Sequence, residues 1–160
     1  MPPSPRTVRP PVEGACACGR LRRASRALTQ FYDDALASSG LRVTQFALMR
    51  SIARTGTARV SEVARAHLLD RTALSRALGP LVERGYLRVA PGRDARTREV
   101  ALTRAGERAL DGASAHWKRA QAAVAKRLGR ERLDRLIEAL RDLESLHPDA
   151  VARSDRQAAA

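Results

Sequence analysis

Three groups of side chains in this chain could carry chemistry. Cys16 and Cys18 are its only thiols, two residues apart. Thr72, Ser75 and Arg76 gather hydroxyls and a guanidinium at helical spacing. Arg93, Asp94, Arg96 and Arg98 crowd a short segment opened by Pro91-Gly92. As thiolates, cysteines attack, reduce or ligate metals. Hydroxyls and guanidinium forks on one helix face suit base edges and phosphates. Enzymatic use of the thiols finds no support, because no His or acid lies beside either Cys in sequence. No Gly-rich phosphate cradle or paired-carboxylate motif occurs elsewhere, so a thiol enzyme such as a small peroxidase is set aside. His67, His116 and His147 are scattered without ligand spacing, and neither a metal nor a cofactor is expected. Within one helix, residues i and i+2 point about 200° apart, so the two thiols are not expected to bridge there.

The charge narrows the partner. The 160 residues carry a formal +13, nearly all of the excess from arginine. Such a surplus points to a polyanion, either nucleic acid or an anionic membrane surface, with a merely solvated basic surface as the plain alternative. No stretch approaches the roughly 18–20 apolar residues of a membrane span. The lead "MPPSPRTVRPPVEG" lacks the apolar core of a secretory signal and is expected to be disordered, as is the tail 148–160. A cytoplasmic protein with reduced thiols follows as the expectation. Aromatics are scarce, so a core of small aliphatic side chains would be thin in a monomer, which favours helices paired with a second copy.

The elements that must position these groups are mostly helical. Leu21, Ala24, Leu28, Phe31 and Ala35 recur at alternating steps of three and four, one stripe of a helix ending near Ser38–Gly40. Arg20, Arg22, Arg23 and Arg26 lie largely off that stripe. Thr44 is expected to cap a second helix that buries Phe46, Met49, Ile52 and Ala53, and Gly56 breaks it. Ser61 and Asp70 each precede a helical pattern, with only "HLL" between the two helices. A short helix, a tight turn and a longer helix make a helix-turn-helix. On the longer one, Leu74, Leu78, Leu81 and Val82 share a face, opposite Thr72, Ser75, Arg76 and Gly79. Pro80 is expected to bend it slightly, and Gly85 to end it. "YLRVA" and "TREVAL" alternate as strands joined by "PGRDAR", a β-hairpin tipped with Arg93, Asp94 and Arg96. Thr103 caps a long helix whose Leu110, Ala113, Trp117, Ala120 and Val124 repeat as a partner-facing seam would. Gly129 interrupts it, and a last helix carries Leu133, Leu136, Ile137, Leu140 and Leu143.

The predicted fold is therefore mainly α with a small β-hairpin: a winged helix-turn-helix flanked by helices at both ends. Duplex DNA explains why these parts belong together. The major groove admits one α-helix, and Thr72, Ser75 and Arg76 stand where a recognition helix meets base edges. An arginine on the hairpin tip suits the adjacent minor groove. Backbone amides near Ser61 and Arg71, at two helix starts, suit phosphates.

The stretch "LLDRTALSRALGPLVERGYLRVAPGRDARTREVALTRAGE" resembles the recognition helix and wing of the MarR family of bacterial winged-helix regulators, a likeness spanning roughly residues 16–146. Its most specific piece is an Asp and, two residues later, an Arg ahead of "LT": here Asp94, Arg96, Leu102 and Thr103. The resemblance implies that Arg96 enters the minor groove and Asp94 braces it. Many members have a further Arg between them, where this chain has Ala95. It also implies an obligate homodimer built by the first and last helices, and a pseudo-palindromic operator of double-stranded DNA. The organisation read from this is a lead at 1–14, a first dimerisation helix at 15–40 and a DNA-binding domain at 41–102. C-terminal dimerisation helices at 103–147 and the tail at 148–160 complete it.

The expected function is a homodimeric, sequence-specific transcriptional repressor released by a small effector. Members commonly bind such ligands, often aromatic acids, between dimerisation helices and winged helix; Arg22, Arg26, Phe31 and Trp117 are the candidates here. One branch of the family senses organic hydroperoxides with a Cys early in the first helix, followed by a segment like "ASRAMT". Here "ASRALT" begins six residues after Cys18, and Tyr32 falls where one of that branch's thiol-activating tyrosines would stand; Arg22 takes the nearer position. Two readings of Cys18 stay open, an oxidant sensor and a small residue at the dimer interface, the second being favoured. A nonspecific architectural DNA-binding protein is the remaining alternative.

Overall fold

Amphipathic helices with strong stop signals dominate the chain, and a computed structural model describes residues 16–94 and 96–148. The lead at 1–14, Ala95 and most of the tail lie outside the described residues. Helix α1 (Ala17–Leu36) leaves Cys16 just ahead of it in extended conformation. A 3₁₀ turn (Ala37–Ser39) and the left-handed Gly40, φ 69°, then end it where the small residues predicted a stop. Only Leu36 of α1 is buried; its stripe residues Leu21, Leu28 and Phe31 remain exposed.

Helix α2 (Val43–Thr55) does not start on Thr44. Its flanking residue is Arg42, whose N–H is taken by Gln45 Oε1 at 3.0 Å. The anion at this helix start comes from α1: Asp33 Oδ1 accepts the Val43 N–H at 2.7 Å, and Oδ2 lies 3.5 Å from Arg42 Nη1. A carboxylate there answers the free amides and the dipole better than a threonine inside the first turn could. Phe46, Met49 and Ile52 are buried as expected, joined by Leu48, whereas Ala53 is exposed.

A strand then appears that the sequence pattern did not reveal. β1 (Thr57–Arg59), β2 (Leu87–Pro91) and β3 (Arg98–Leu102) form an antiparallel sheet in the order β1-β3-β2. Val100 sits centrally, opposite Ala58 on one side and Val89 on the other, and is fully buried. Helix α3 (Val60–Ala66) starts directly from β1, so Arg59 rather than Ser61 flanks it. Glu62 accepts the Arg59 N–H. Helix α4 (Arg71–Glu83) is capped by Asp70, whose Oδ1 accepts the Ala73 N–H at 2.7 Å. Leu74, Leu78 and Leu81 are buried, but Val82, at the edge of the apolar stripe, is exposed. The helix runs through Pro80, and Gly85, φ 69°, turns the chain into β2.

Thr103 caps α5 (Arg104–Leu128) by accepting the Gly106 N–H at 3.1 Å. Position 106 must be glycine-sized, because a Cβ there would collide with the Tyr86 carbonyl oxygen. The repeat along α5 is not a free seam. Leu110, Ala113 and Ala120 are buried inside this chain, where α5 lies against α1 and α2. Spacing alone cannot distinguish a stripe covered by its own chain from one awaiting another. Helix α6 (Arg130–Glu144) is the reverse case, with no buried residue at all. Phe46, Leu36, Met49, Ile52, Leu74, Leu81 and Val100 form the driest part of the core, directly behind α4.

Candidate nucleic-acid interface

The Asp70 cap and the leucine backing together fix which way α4 faces. With Leu74, Leu78 and Leu81 inward, Arg71, Thr72, Ser75 and Arg76 are exposed along its first two turns. Asp70 spends one oxygen on the Ala73 amide, an arrangement that typically stabilises a helix start by about 1 kcal/mol.

The wing tip is organised by its own short bonds. The Asp94 carbonyl accepts from Thr97 N–H at 2.8 Å and from Thr97 Oγ1 at 2.7 Å. Gly92 N–H donates to Thr97 O at 2.9 Å, and a Cβ on Gly92 would run into the Thr97 hydroxyl. The Asp94 carboxylate accepts the backbone N–H of Arg96 at 3.0 Å. It therefore fixes the Arg96 main chain and leaves the guanidinium uncommitted. Thr97 was not singled out in the sequence, although its place directly after the Asp–x–Arg triplet was the available signal.

Between α3, α4 and the wing lies a groove of about 700 Å³. Ser61, Arg71, Ser75, Arg96 and Arg98 all line it, so five of the nine sequence-selected residues share one concavity. Thr72, Arg76, Arg93 and Asp94 are exposed outside it. Among the described residues the salt bridges are Arg42–Asp33 and Arg135–Glu131, neither on this face. Among the described residues, no carboxylate forms a salt bridge with the arginines of α4 and the wing.

A tie that sequence reading missed holds the far end of α4. Arg84 donates from Nη1 to the Gly40 carbonyl at 2.8 Å and from Nη2 to the Tyr86 hydroxyl at 3.1 Å, while its guanidinium lies 4.7 Å from the Tyr86 ring centre. Forty-four positions separate Arg84 from Gly40, beyond any local pattern.

The candidate effector and redox residues are placed differently. Cys16 and Cys18 are both free and exposed. Arg22 and Arg26 line a shallow depression with Leu21 and Ser25, all on α1. Phe31 meets Tyr32 edge-on at 5.7 Å, and the Tyr32 hydroxyl donates to Gln121 Oε1 on α5. Burial raises the Tyr32 phenol above its usual range. Trp117 instead stacks on Phe46 at 5.8 Å beneath the Arg50 guanidinium, 4.2 Å away. Neither the aromatic pairs nor the depression joins Trp117 to Arg22, Arg26 or Phe31. Among the described residues no group of three His, Cys, Asp or Glu side chains is placed to hold a metal. No described helix is long and apolar enough to cross a membrane.

A capped helix with a polar outer face, a second helix joined to it by a tight turn, and a three-stranded sheet with a basic tip define a winged helix-turn-helix protein. A MarR family model matches residues 39–97. The M. tuberculosis transcriptional regulator MosR, solved in complex with DNA, is 35% identical over 88% of this chain and 98% of its own, with a TM-score of 0.75. A mutant of E. coli MarR complexed with operator DNA shares the fold at 22% identity, over 78% of this chain and 91% of its own, TM-score 0.71. A probable transcriptional regulator from Pseudomonas aeruginosa does so at 21%, over 81% and 97%, TM-score 0.73. No curated protein sequence matches the chain. The chain belongs to the MarR family.

Proposed function

We propose that this protein is a sequence-specific regulator of transcription that binds double-stranded DNA as a homodimer, with no enzymatic activity, in the cytoplasm. The observation that carries this is the convergence of a polar, leucine-backed helix face with wing arginines on one groove. Thr72, Ser75 and Arg76 read base edges, Arg96 reaches into the minor groove with Asp94 fixing its backbone, and Arg71, Arg93, Arg98 and the amides near Ser61 meet phosphates. The MosR relative crystallised with DNA supports the same reading. Leu21, Leu28 and Phe31 on α1, with Leu136, Ile137 and Leu143 on α6, supply apolar surface for the second copy. Two-fold symmetry then sets the reading helices about 34 Å apart, so the operator is a pseudo-palindrome.

Selection of bound fragments from a random duplex pool tests this directly. The expected product is an inverted repeat, lost or relaxed on Arg76→Ala. Equal affinity for selected and random duplexes at matched salt would leave a nonspecific architectural protein instead. A dimer neutralising on the order of eight phosphates should show log K against log salt sloping at about −7.

DNA release is the regulated step, and the protein acts as a repressor. A small aromatic or acidic effector held near Arg22, Arg26, Phe31 and Trp117 shifts the balance between two spacings of the reading helices. The exposure of both thiols favours a second trigger, oxidation of Cys18 by a hydroperoxide. If Cys18→Ser leaves hydroperoxide-induced release unchanged, the oxidant trigger is gone and the effector alone remains.

A further inference from the structure

His67 closes α3 and begins the turn into α4. Its ring is half-buried, and Nε2 is sealed from solvent with no hydrogen-bond partner among the described residues. A buried ring nitrogen without a partner is uncommon and calls for a reason. The next residue, Leu68, has φ 52°, a left-handed conformation that a leucine rarely adopts. The turn is therefore held by what surrounds it rather than by its own preference. Its bonds lead straight to the reading helix: Leu69 N–H donates to Ala64 O at 2.9 Å, and Leu74 N–H to Asp70 O at 3.0 Å.

The charges around this turn do not favour a cationic ring. Arg54, at the end of α2, is the side chain whose charge acts on it. The acids of α3 and of the α4 start are engaged by amides, Glu62 by Arg59 N–H and Asp70 by Ala73 N–H. Arg65 and Arg71 flank the turn in sequence, on α3 and α4. Burial first, and Arg54 second, hold the imidazole below its ordinary range.

We propose that His67 is an acid-sensitive latch on the helix-turn-helix: neutral, it keeps the turn that aims α4, and protonated, it leaves its pocket, opens the turn and weakens the grip on DNA. The DNA half of this rests on the function proposed above; the opening of the turn does not. Because the closed turn favours the neutral ring, the latch is fully set above about pH 6.5, the ordinary imidazole value, and is released as pH falls below it.

The experiment uses the full chain. His67 is titrated by NMR through its ring C–H signals, and amide exchange at Leu69 and Leu74 is followed at pH 7.5 and 5.5, each rate divided by its intrinsic value. Protection should fall by up to about tenfold, the limit for one ordinary imidazole excluded from the closed form. It should not change in His67→Gln. Affinity for a mixed-sequence duplex should fall with it in the wild type and hold in the variant. An unshifted His67 titration, or the same loss of protection in the variant, overturns the latch without touching the DNA reading. Duplex binding that ignores a protonated His67 overturns the switch, whereas no duplex binding at any pH overturns the function proposed above and leaves the hinge result standing. If the Gln variant does not fold, the wild-type titration and exchange still decide.

Discussion

Helices α4 and α6 carry nearly the same leucine-rich pattern and meet opposite fates. In α4, Leu74, Leu78 and Leu81 are 0%, 5% and 0% exposed, whereas Leu136, Ile137 and Leu143 of α6 are 41%, 36% and 43% exposed. The first stripe is satisfied by the chain's own sheet and α2, and so it can hold a polar face outward. The second remains unsatisfied in one copy, as does the stripe of α1. An amphipathic pattern thus specifies that a face will be covered, and only the tertiary arrangement says by what.

Substitutions in the two stripes should separate most sharply. Leu74→Ala is expected to cost about 2–5 kcal/mol and to do so at every protein concentration. Leu136→Ala should lower the melting temperature mainly at low concentration if the second copy proposed above covers it. Thermal melts across a hundredfold dilution series read both, and a concentration-independent loss for Leu136→Ala would break the comparison. Next in size, Arg76→Ala should cost about 1–3 kcal/mol in operator affinity and relax specificity at one position, whereas Arg93→Ala should weaken all duplexes alike and flatten the salt slope by about 1. Titrations of selected and scrambled duplexes at several salt concentrations distinguish them. Asp70→Ala, which removes the cap without touching the leucines, should cost about 1 kcal/mol of stability, seen as a lower melting temperature.

The smallest effect is expected at high pH. Burial raises the Tyr32 phenol above its usual value, so folding favours the protonated form. Its contribution is whole below about pH 10 and is lost as pH rises through the higher folded value. Tyr32→Phe should flatten that alkaline decline by no more than about 2 °C in melting temperature. A steeper decline in the variant would show that the tyrosine is not the group responsible.

Much of the reading side was legible because its determinants are local. Asp70 stands one residue before a helix whose Leu74, Leu78 and Leu81 fall at helical spacing, and Pro91-Gly92 separates two alternating runs. The missed features depend on partners distant in sequence. β1 has three residues, too few to alternate, and exists because Ala58 meets Val100. Asp33 serves α2 from ten residues upstream, which removed the need for Thr44. Starting α3 straight from a strand shifted its first residue ahead of Ser61. The α5 stripe read as a seam because period carries no label for whose surface it meets. The contacts of Trp117 with Phe46 and Arg50 belong to the same class, since they join helices through a pairing that no motif announces.

The absence of a side chain at Gly106 has a mechanical consequence. The foot of α5 is pressed against the Tyr86 backbone, and Thr103 donates its hydroxyl to the Gly85 carbonyl beside it. With no side chain between them, the long helix and the root of the wing meet backbone to backbone, and a single methyl added at this point would force the two apart.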